Sequence, residues 1–288
     1  MELEIEKWVG DAPTNQQLFR KAVHIILKAV AASEYLKPHM IMKGGMLLGI
    51  RYKSSRYTKD IDFSTSESFK DFDENKFQSE FDDSLVFSAE DLAYGIDCKI
   101  QSLKVQPRQK PGVESTFPSL VISIGYAEKG AKCHKRFLEG NSINVIKIDY
   151  SFNELAPHPE ELSLEGGEII AYGLTDLIAE KIRSVMQQVV RNRQRRQDIY
   201  DLNYLLTNSE EFDDEEKWII LDSILVKSKG RLDDDFVNRS TLDDKNIYEL
   251  SKQDYSLMVD EVDGDLPDFD ESYNRVNRFY KDLPWDYL

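Results

Sequence analysis

The run Asp60-Ile61-Asp62-Phe63 constrains this chain more than any other short stretch in it. Side chains alternate across an extended strand, so Asp60 and Asp62 share one face while Ile61 and Phe63 share the other. A strand of this kind needs a core on one side and, on the other, something that tolerates two carboxylates at close quarters. Like charges so placed repel, which costs stability unless a cation or hydrogen-bond donors lie between them. A hard divalent cation accepts such an all-oxygen set and typically bridges to substrate phosphates. A calcium loop fits less well. Asp60 to Thr65 loosely follows D-x-D-x-S, but the sixth position is not glycine, and Ile61 and Phe63 are too apolar for an exposed loop.

A second alternating run, Val145-Ile146-Lys147-Ile148-Asp149-Tyr150, puts Lys147 and Asp149 opposite Ile146, Ile148 and Tyr150. Placed beside the first strand, Asp149 completes a three-carboxylate cluster, able to hold two metal ions about 4 Å apart for phosphoryl transfer. Placed elsewhere, it is an ordinary solvent-facing aspartate. Upstream, the short strand Met40-Ile41-Met42 runs into Gly44-Gly45, and Met46 to Ile50 reads as a short helix behind that turn. Glycines there let backbone N–H groups approach phosphate oxygens, and the helix N-terminus adds partial positive charge. Lys43 offers a point charge beside them. In most proteins a glycine pair is only a turn.

The rest of the chain supplies a frame for these residues. A helix runs from Pro13-Thr14 to about Tyr35, with Leu18, Phe19, Ala22, Val23, Ile26 and Val30 on one stripe; His24 beside it reads as structural. Strands are expected at Lys99–Val105, Leu120–Tyr126, Ile143–Tyr150 and Glu168–Ala171. Helices follow at Thr175–Val190, Asp198–Leu206, Glu215–Leu225 and Tyr273–Lys281. The boundary falls near Gly173, giving an α/β domain over 1–172 and a helical domain over 173–288.

Two positions on the later helices are out of character. The apolar stripe Leu174, Leu177, Ile178, Ile182, Val185, Val189 has Lys181 in its middle, where packing alone would choose Leu or Ile. Such a lysine either snorkels to the surface or reaches a charged partner in a cleft, and a triphosphate is one such partner. Asp198 shares a face with Leu202 and Leu205; it can neutralise Lys181, hold Arg195, act as a base, or simply cap its helix. Arg191, Arg193, Arg195 and Arg196 between the helices suit a triphosphate tail or an RNA backbone, and equally a solvated connection.

Charge and composition exclude more than they assign. At a net charge of −16, wholesale binding of nucleic acid is excluded, because Lys and Arg neutralising phosphates dominate that affinity. Contact with nucleic acid must use a local patch. The acidic blocks Asp213-Asp214-Glu215-Glu216, Asp233-Asp234-Asp235 and 263–271 read as solvated faces, beside a basic stretch from Lys181 to Arg196 that suggests a positively charged working surface. Two cysteines, an acidic start without a signal-peptide pattern, and no apolar run of about 20 residues point to a reducing cytoplasm and no membrane.

Taken together, these residues resemble the nucleotidyltransferase superfamily, whose signature is a Gly-Gly or Gly-Ser turn, a D-x-D strand and a third carboxylate on a later strand. Lys43-Gly44-Gly45 with Leu47, and Arg56-Tyr57-Thr58-Lys59-Asp60-Ile61-Asp62-Phe63, are similar to AbiEii/AbiGii-type toxin nucleotidyltransferases. So are Asp176-Leu177-Ile178-Ala179-Glu180-Lys181 and Arg195-Arg196-Gln197-Asp198-Ile199-Tyr200-Asp201-Leu202. The resemblance covers roughly 38–206. It implies an α/β fold of the α+β kind, a mixed sheet flanked by helices with a helical C-terminal part that contributes Lys181 and Asp198. It implies Asp60, Asp62 and Asp149 as ligands of Mg²⁺ or Mn²⁺. Lys43, Gly44, Gly45, Arg56, Thr58, Lys181 and Arg195 would serve the nucleotide, and Asp198 would be a further catalytic acid. Gly45 stands where many superfamily members carry Ser, so that hydroxyl is missing.

The activity so implied is transfer of an NMP from an NTP to an RNA, with tRNA first in mind, or to a protein. The setting is a bacterial toxin–antitoxin or abortive-infection phage-defence system with a cognate antitoxin. A D-x-D nucleotide-sugar transferase accounts for Asp60 and Asp62 but not for Gly44-Gly45, Lys181 or Asp198. A nucleotidyltransferase-fold binding or regulatory protein without catalysis has no need to hold like charges together.

Overall fold

The computed structural model describes residues 2–107 and 115–287. By contacts the chain divides into two compact units, one of Met1–Arg51 with Lys59–Ala171, the other of Tyr52–Thr58 with Tyr172–Leu288.

The first unit is built on a mixed sheet of seven strands. In chain order come α1 (Ile5–Gly10), α2 (Gln17–Ala32), β1 (Ile41–Lys43), α3 (Gly44–Arg51), β2 (Asp60–Ser64) and α4 (Glu74–Asp91). They are followed by β3 (Ile96–Gln106), β4 (Ser119–Glu128), α5 (His134–Leu138), β5 (Asn144–Ser151), β6 (Pro159–Leu164) and β7 (Gly167–Tyr172). Across the sheet the order is β3-β4-β5-β2-β1-β7-β6. β2 is central, parallel to β5 on one side and antiparallel to β1 on the other.

That placement follows from the alternation. Ile61, Phe63, Ile146, Ile148 and Tyr150 are all fully buried on one face, each contributing about 1.5–3 kcal/mol through the apolar surface it removes from water. A one-residue slip of register would turn every one of them outward and every carboxylate inward. α4 packs on β3 and α2, placing Phe77, Phe81 and Leu85 at i, i+4 and i+8 in the core. Phe77 stacks on Tyr150 with ring centroids 5.7 Å apart, and Asp73 caps the helix by accepting from the Lys76 N–H. Sequence periodicity alone does not single out α1, α4, α5 or β6. In α4, acidic and polar residues dilute the apolar stripe, so its periodicity is faint. The first long helix is also shorter than expected, ending at Ala32 rather than near Tyr35.

The second unit is helical: α6 (Leu174–Arg191), α7 (Arg196–Asn208), α8 (Asp214–Ser228), α9 (Lys245–Lys252) and α10 (Phe269–Lys281). α6 packs against α7, α8 and α9, and α7 packs against α10. Part of the acidic sequence works as helix starts here. Asp213 and Glu216 form a reciprocal capping box on α8, and Asp268 caps α10. The segment 52–58 joins this unit through an isolated bridge between Arg56 and Val262. Tyr57 N–H donates to the Glu261 carbonyl at 2.7 Å, and Asp263 N–H to the Ser55 carbonyl at 3.1 Å.

Candidate active site

In the first unit, the parallel pairing of β2 and β5 puts Asp62 level with Asp149 and Asp60 level with Lys147. Neighbouring strands lie about 4.8 Å apart, so the three carboxylates occupy one patch of one sheet face. Asp60, Lys147 and Asp149 are exposed and Asp62 is half-buried. Local shielding raises the Asp60 carboxyl above its ordinary pKa; the Lys147 ammonium pulls it back down and the Asp149 charge adds to the rise. Asp60 thus feels the Asp149 charge across the strand pair.

Antiparallel pairing puts Lys43 opposite Asp62 from the other side. The Lys43 ammonium lies 3.0 Å from a carboxylate oxygen of Glu154, both side chains being almost fully buried. The turn after β1 is equally specific. Gly44 sits at φ +75°, and a Cβ built there would lie 2.0 Å from Asp62 Oδ2. Only glycine lets the backbone at the head of α3 come this close to the carboxylate.

The donor set is therefore all oxygen and suits a hard divalent cation. Among the described residues, no group of three or more His, Cys, Asp and Glu side chains is gathered tightly enough to hold a metal ion as it stands. The backbone register makes such a group available; the side-chain conformations do not close it. An ion at this face would meet part of its shell in protein and the remainder in phosphate oxygens and water.

In the second unit, Lys181 is buried on α6, with its ammonium 2.6 Å from Asp201 Oδ2 and 3.3 Å from Asp198 Oδ1. Of the two readings open for this lysine, it takes the charged partner. Arg56 reaches the same Asp201 carboxylate with two parallel hydrogen bonds of 2.8 Å, from Nε and Nη2. Burial pushes the Asp201 carboxyl up, but the Arg56 and Lys181 charges outweigh it and hold it at about 2. Burial likewise pushes the Lys181 ammonium down, and Asp201 and Asp198 more than restore it, so Lys181 keeps its positive charge. Asp198 does not cap α7. That place belongs to Arg195, whose guanidinium stands 3.8 Å from Asp198 Oδ2. The same Oδ2 is buried and accepts no hydrogen bond among the described residues, which leaves an acceptor for a further donor.

Two carboxylates here went unread in the sequence. Asp201 follows Asp198 by three positions, so the two share a helix face; that spacing was the available signal. Glu154 lies in a loop and gave none. The basic stretch from Lys181 to Arg196 is also less of a surface than its charge suggests, since Lys181 and Arg183 are buried and Arg196 pairs with Glu261 at 2.7 Å. Thr58 is half-buried. His24 is buried as a structural residue, with Nδ1 3.0 Å from the Tyr94 hydroxyl.

A family model described as "Nucleotidyl transferase AbiEii toxin, Type IV TA system" matches residues 25–275. Two Helicobacter pylori crystal structures are similar to the chain, one described as a candidate nucleotidyltransferase and the other as JHP933. Both are 15% identical over 94% of this chain with TM-scores of 0.48, and the match covers 95% and 92% of their own lengths. No curated protein matches the chain significantly. No helix among the described residues is long and apolar enough to cross a membrane.

Proposed function

Because this chain belongs to the AbiEii nucleotidyl transferase toxin family of Type IV toxin–antitoxin systems, we propose that it moves an NMP from an NTP onto an RNA acceptor. tRNA is the first candidate, and a protein hydroxyl is the other acceptor class. In this reaction an acceptor oxygen attacks the α-phosphorus, the bond to the bridging oxygen breaks, and pyrophosphate leaves. The protein's part in such chemistry is positioning and charge stabilisation.

Asp60, Asp62 and Asp149 are the residues that would hold Mg²⁺ or Mn²⁺. The ion's contribution would be to neutralise the triphosphate and orient its α-phosphate. The backbone at Gly44-Gly45, at the head of α3, would lie against phosphate oxygens, with Lys43 supplying a charge. From the second unit the proposal assigns Lys181, Arg56 and Arg195 to the triphosphate, Thr58 to the nucleotide, and Asp198 to proton handling through its unfilled Oδ2. Lys181 and Arg56 already share Asp201, so phosphate oxygens would compete with that carboxylate. A cognate antitoxin restrains the activity, and growth arrest in defence against phage is the physiological role proposed.

One observation carries this reading: the level pairing of Asp62 with Asp149 on a face where Gly44 alone admits the neighbouring backbone. The test is incubation with Mg²⁺, total cellular RNA and each α-³²P-labelled NTP, beside an Asp60→Ala/Asp62→Ala protein. Label in RNA with the intact carboxylates only is the expected result. Equal label from both proteins would refute the assignment of the site.

A further inference from the structure

The second unit carries a cleft that the reaction above does not use. It has a volume of about 690 Å³ and is walled by the end of α7, the loop and first turn of α8, and α10. A second hollow of about 540 Å³ adjoins it, sharing Lys217 and Asp282 and adding Trp218 and Pro284.

The lining is cationic in a chain that has 53 acidic against 37 basic residues. Lys217, Arg239, Arg275, Arg278 and Lys281 line the larger hollow, against Glu210, Glu211 and Asp282. Some of these charges are spent: Lys217 pairs with Asp282 at 2.6 Å and Lys281 with Asp243 at 2.7 Å. Others are not. Arg239 is loosely held: its Nε donates to the Lys281 carbonyl at 3.0 Å and its Nη1 stands 3.4 Å from the exposed Asp286. Arg275 bonds to the Thr207 hydroxyl, and no carboxylate among the described residues pairs with it or with Arg278. Arg275 and Arg278 stand three residues apart on α10, on one helix face.

Aromatic rings accompany these arginines. Phe212 and Phe279 pack with centroids 5.4 Å apart, Phe279 being half-buried at the wall. Trp218 is 41% exposed, which leaves part of the indole face open at the adjoining hollow. Cations that track a backbone, interleaved with rings on which bases stack, are the two requirements of single-strand binding. An acidic peptide would satisfy the arginines but leave the rings without a use. A duplex keeps its bases stacked on one another.

We propose that this cleft binds a single-stranded segment of RNA, its phosphates on Arg239, Arg275 and Arg278 and its bases against Phe279 and Trp218. The proposal rests on the transfer reading only in calling that strand the acceptor. Binding is read without NTP, by fluorescence anisotropy of a labelled mixed-sequence 12-nucleotide RNA, its duplex, and a polyglutamate peptide. Arg275→Ala/Arg278→Ala weakens single-strand binding at least tenfold and lowers the slope of log K against log salt by roughly 1.4, about 0.7 for each phosphate no longer neutralised. Trp218→Ala, at an exposed position, weakens it by about tenfold because a base has no ring to stack on. Strand binding unmoved by either cleft variant, or polyglutamate bound as tightly as the strand, overturns the proposal. Binding that behaves as expected while no NTP labels RNA supports the cleft and strikes the transfer reading alone.

Discussion

Replacing Asp201 with asparagine isolates the buried charge network of the second unit. The side chain keeps its shape but loses its charge, leaving the Arg56 guanidinium and Lys181 ammonium, whose side chains are 11% and 7% exposed, without their shared counter-ion. Removing one partner of a buried ion pair costs about 3–5 kcal/mol, most of it the desolvation of the charge left behind. Asp198 is more accessible, at 12% against 1% for Asp201, and lies farther from Lys181, so Asp198→Asn should cost only about 1 kcal/mol. Urea unfolding followed by tryptophan fluorescence in a Trp8→Phe background reads the second unit, which holds Trp218 and Trp285. With a slope of about 2 kcal/mol per molar, Asp201→Asn moves the midpoint down by roughly 1.5–2.5 M and Asp198→Asn by about 0.5 M. The pH dependence has a definite sign. The folded carboxyl titrates at about 2 and an unfolded one at about 3.9. Its contribution, about 2.5 kcal/mol, is therefore present above pH 4 and lost as pH falls toward 2. A more damaging Asp198→Asn, or an Asp201→Asn midpoint left in place, would show that Asp201 is not the shared counter-ion.

Three further outcomes follow from the geometry. Gly44→Ala forces a Cβ to within 2.0 Å of Asp62 Oδ2 at a φ of +75°, so it should cost about 1–2 kcal/mol and remove transfer activity. Gly49→Ala, with nothing within 4 Å, should keep both. His24 is buried and its pKa is pulled down to about 4, by burial and then by Lys28. Its contribution is present above pH 6.5 and lost as pH falls toward 4, so the first unit is about 2 kcal/mol less stable at pH 5 than at pH 7. Denaturant melts at the two pH values should show a smaller difference in His24→Asn. Lys227 lies 3.6 Å from the fully buried Asp176 and 4.2 Å from the centre of the Tyr172 ring. Lys227→Met takes this cation from the buried carboxylate and should lower the thermal midpoint, and in a double-mutant cycle with Asp176→Asn the two losses should sum to more than the double change costs; full additivity in thermal melts would contradict the pairing.

The strands at the site were legible because period-two alternation is a strong local signal: Asp60–Phe63 and Val145–Tyr150 announce which side chains enter the core and which carboxylates share the opposite face. Lys181 was legible because it interrupts an apolar stripe. What stayed hidden depends on contacts distant in sequence. Nothing local says that Arg56 will leave the strand segment it precedes and close on Asp201, at a separation of 145 residues. Nor does anything local say that Lys43 will find Glu154. The helix α4 was missed for a different reason: its buried Phe77, Phe81 and Leu85 are spaced correctly but outnumbered by charged and polar neighbours.

Nucleotidyl transfer requires that the α-phosphate, with its nucleoside, pass to the acceptor. The most direct measurement gives the protein, Mg²⁺ and RNA the same NTP labelled at either the α- or the γ-phosphorus. The expected result is α-label in RNA and γ-label in released pyrophosphate, both abolished in Asp60→Ala/Asp62→Ala. Label entering RNA from the γ position instead would mean phosphoryl rather than nucleotidyl transfer, and would contradict it.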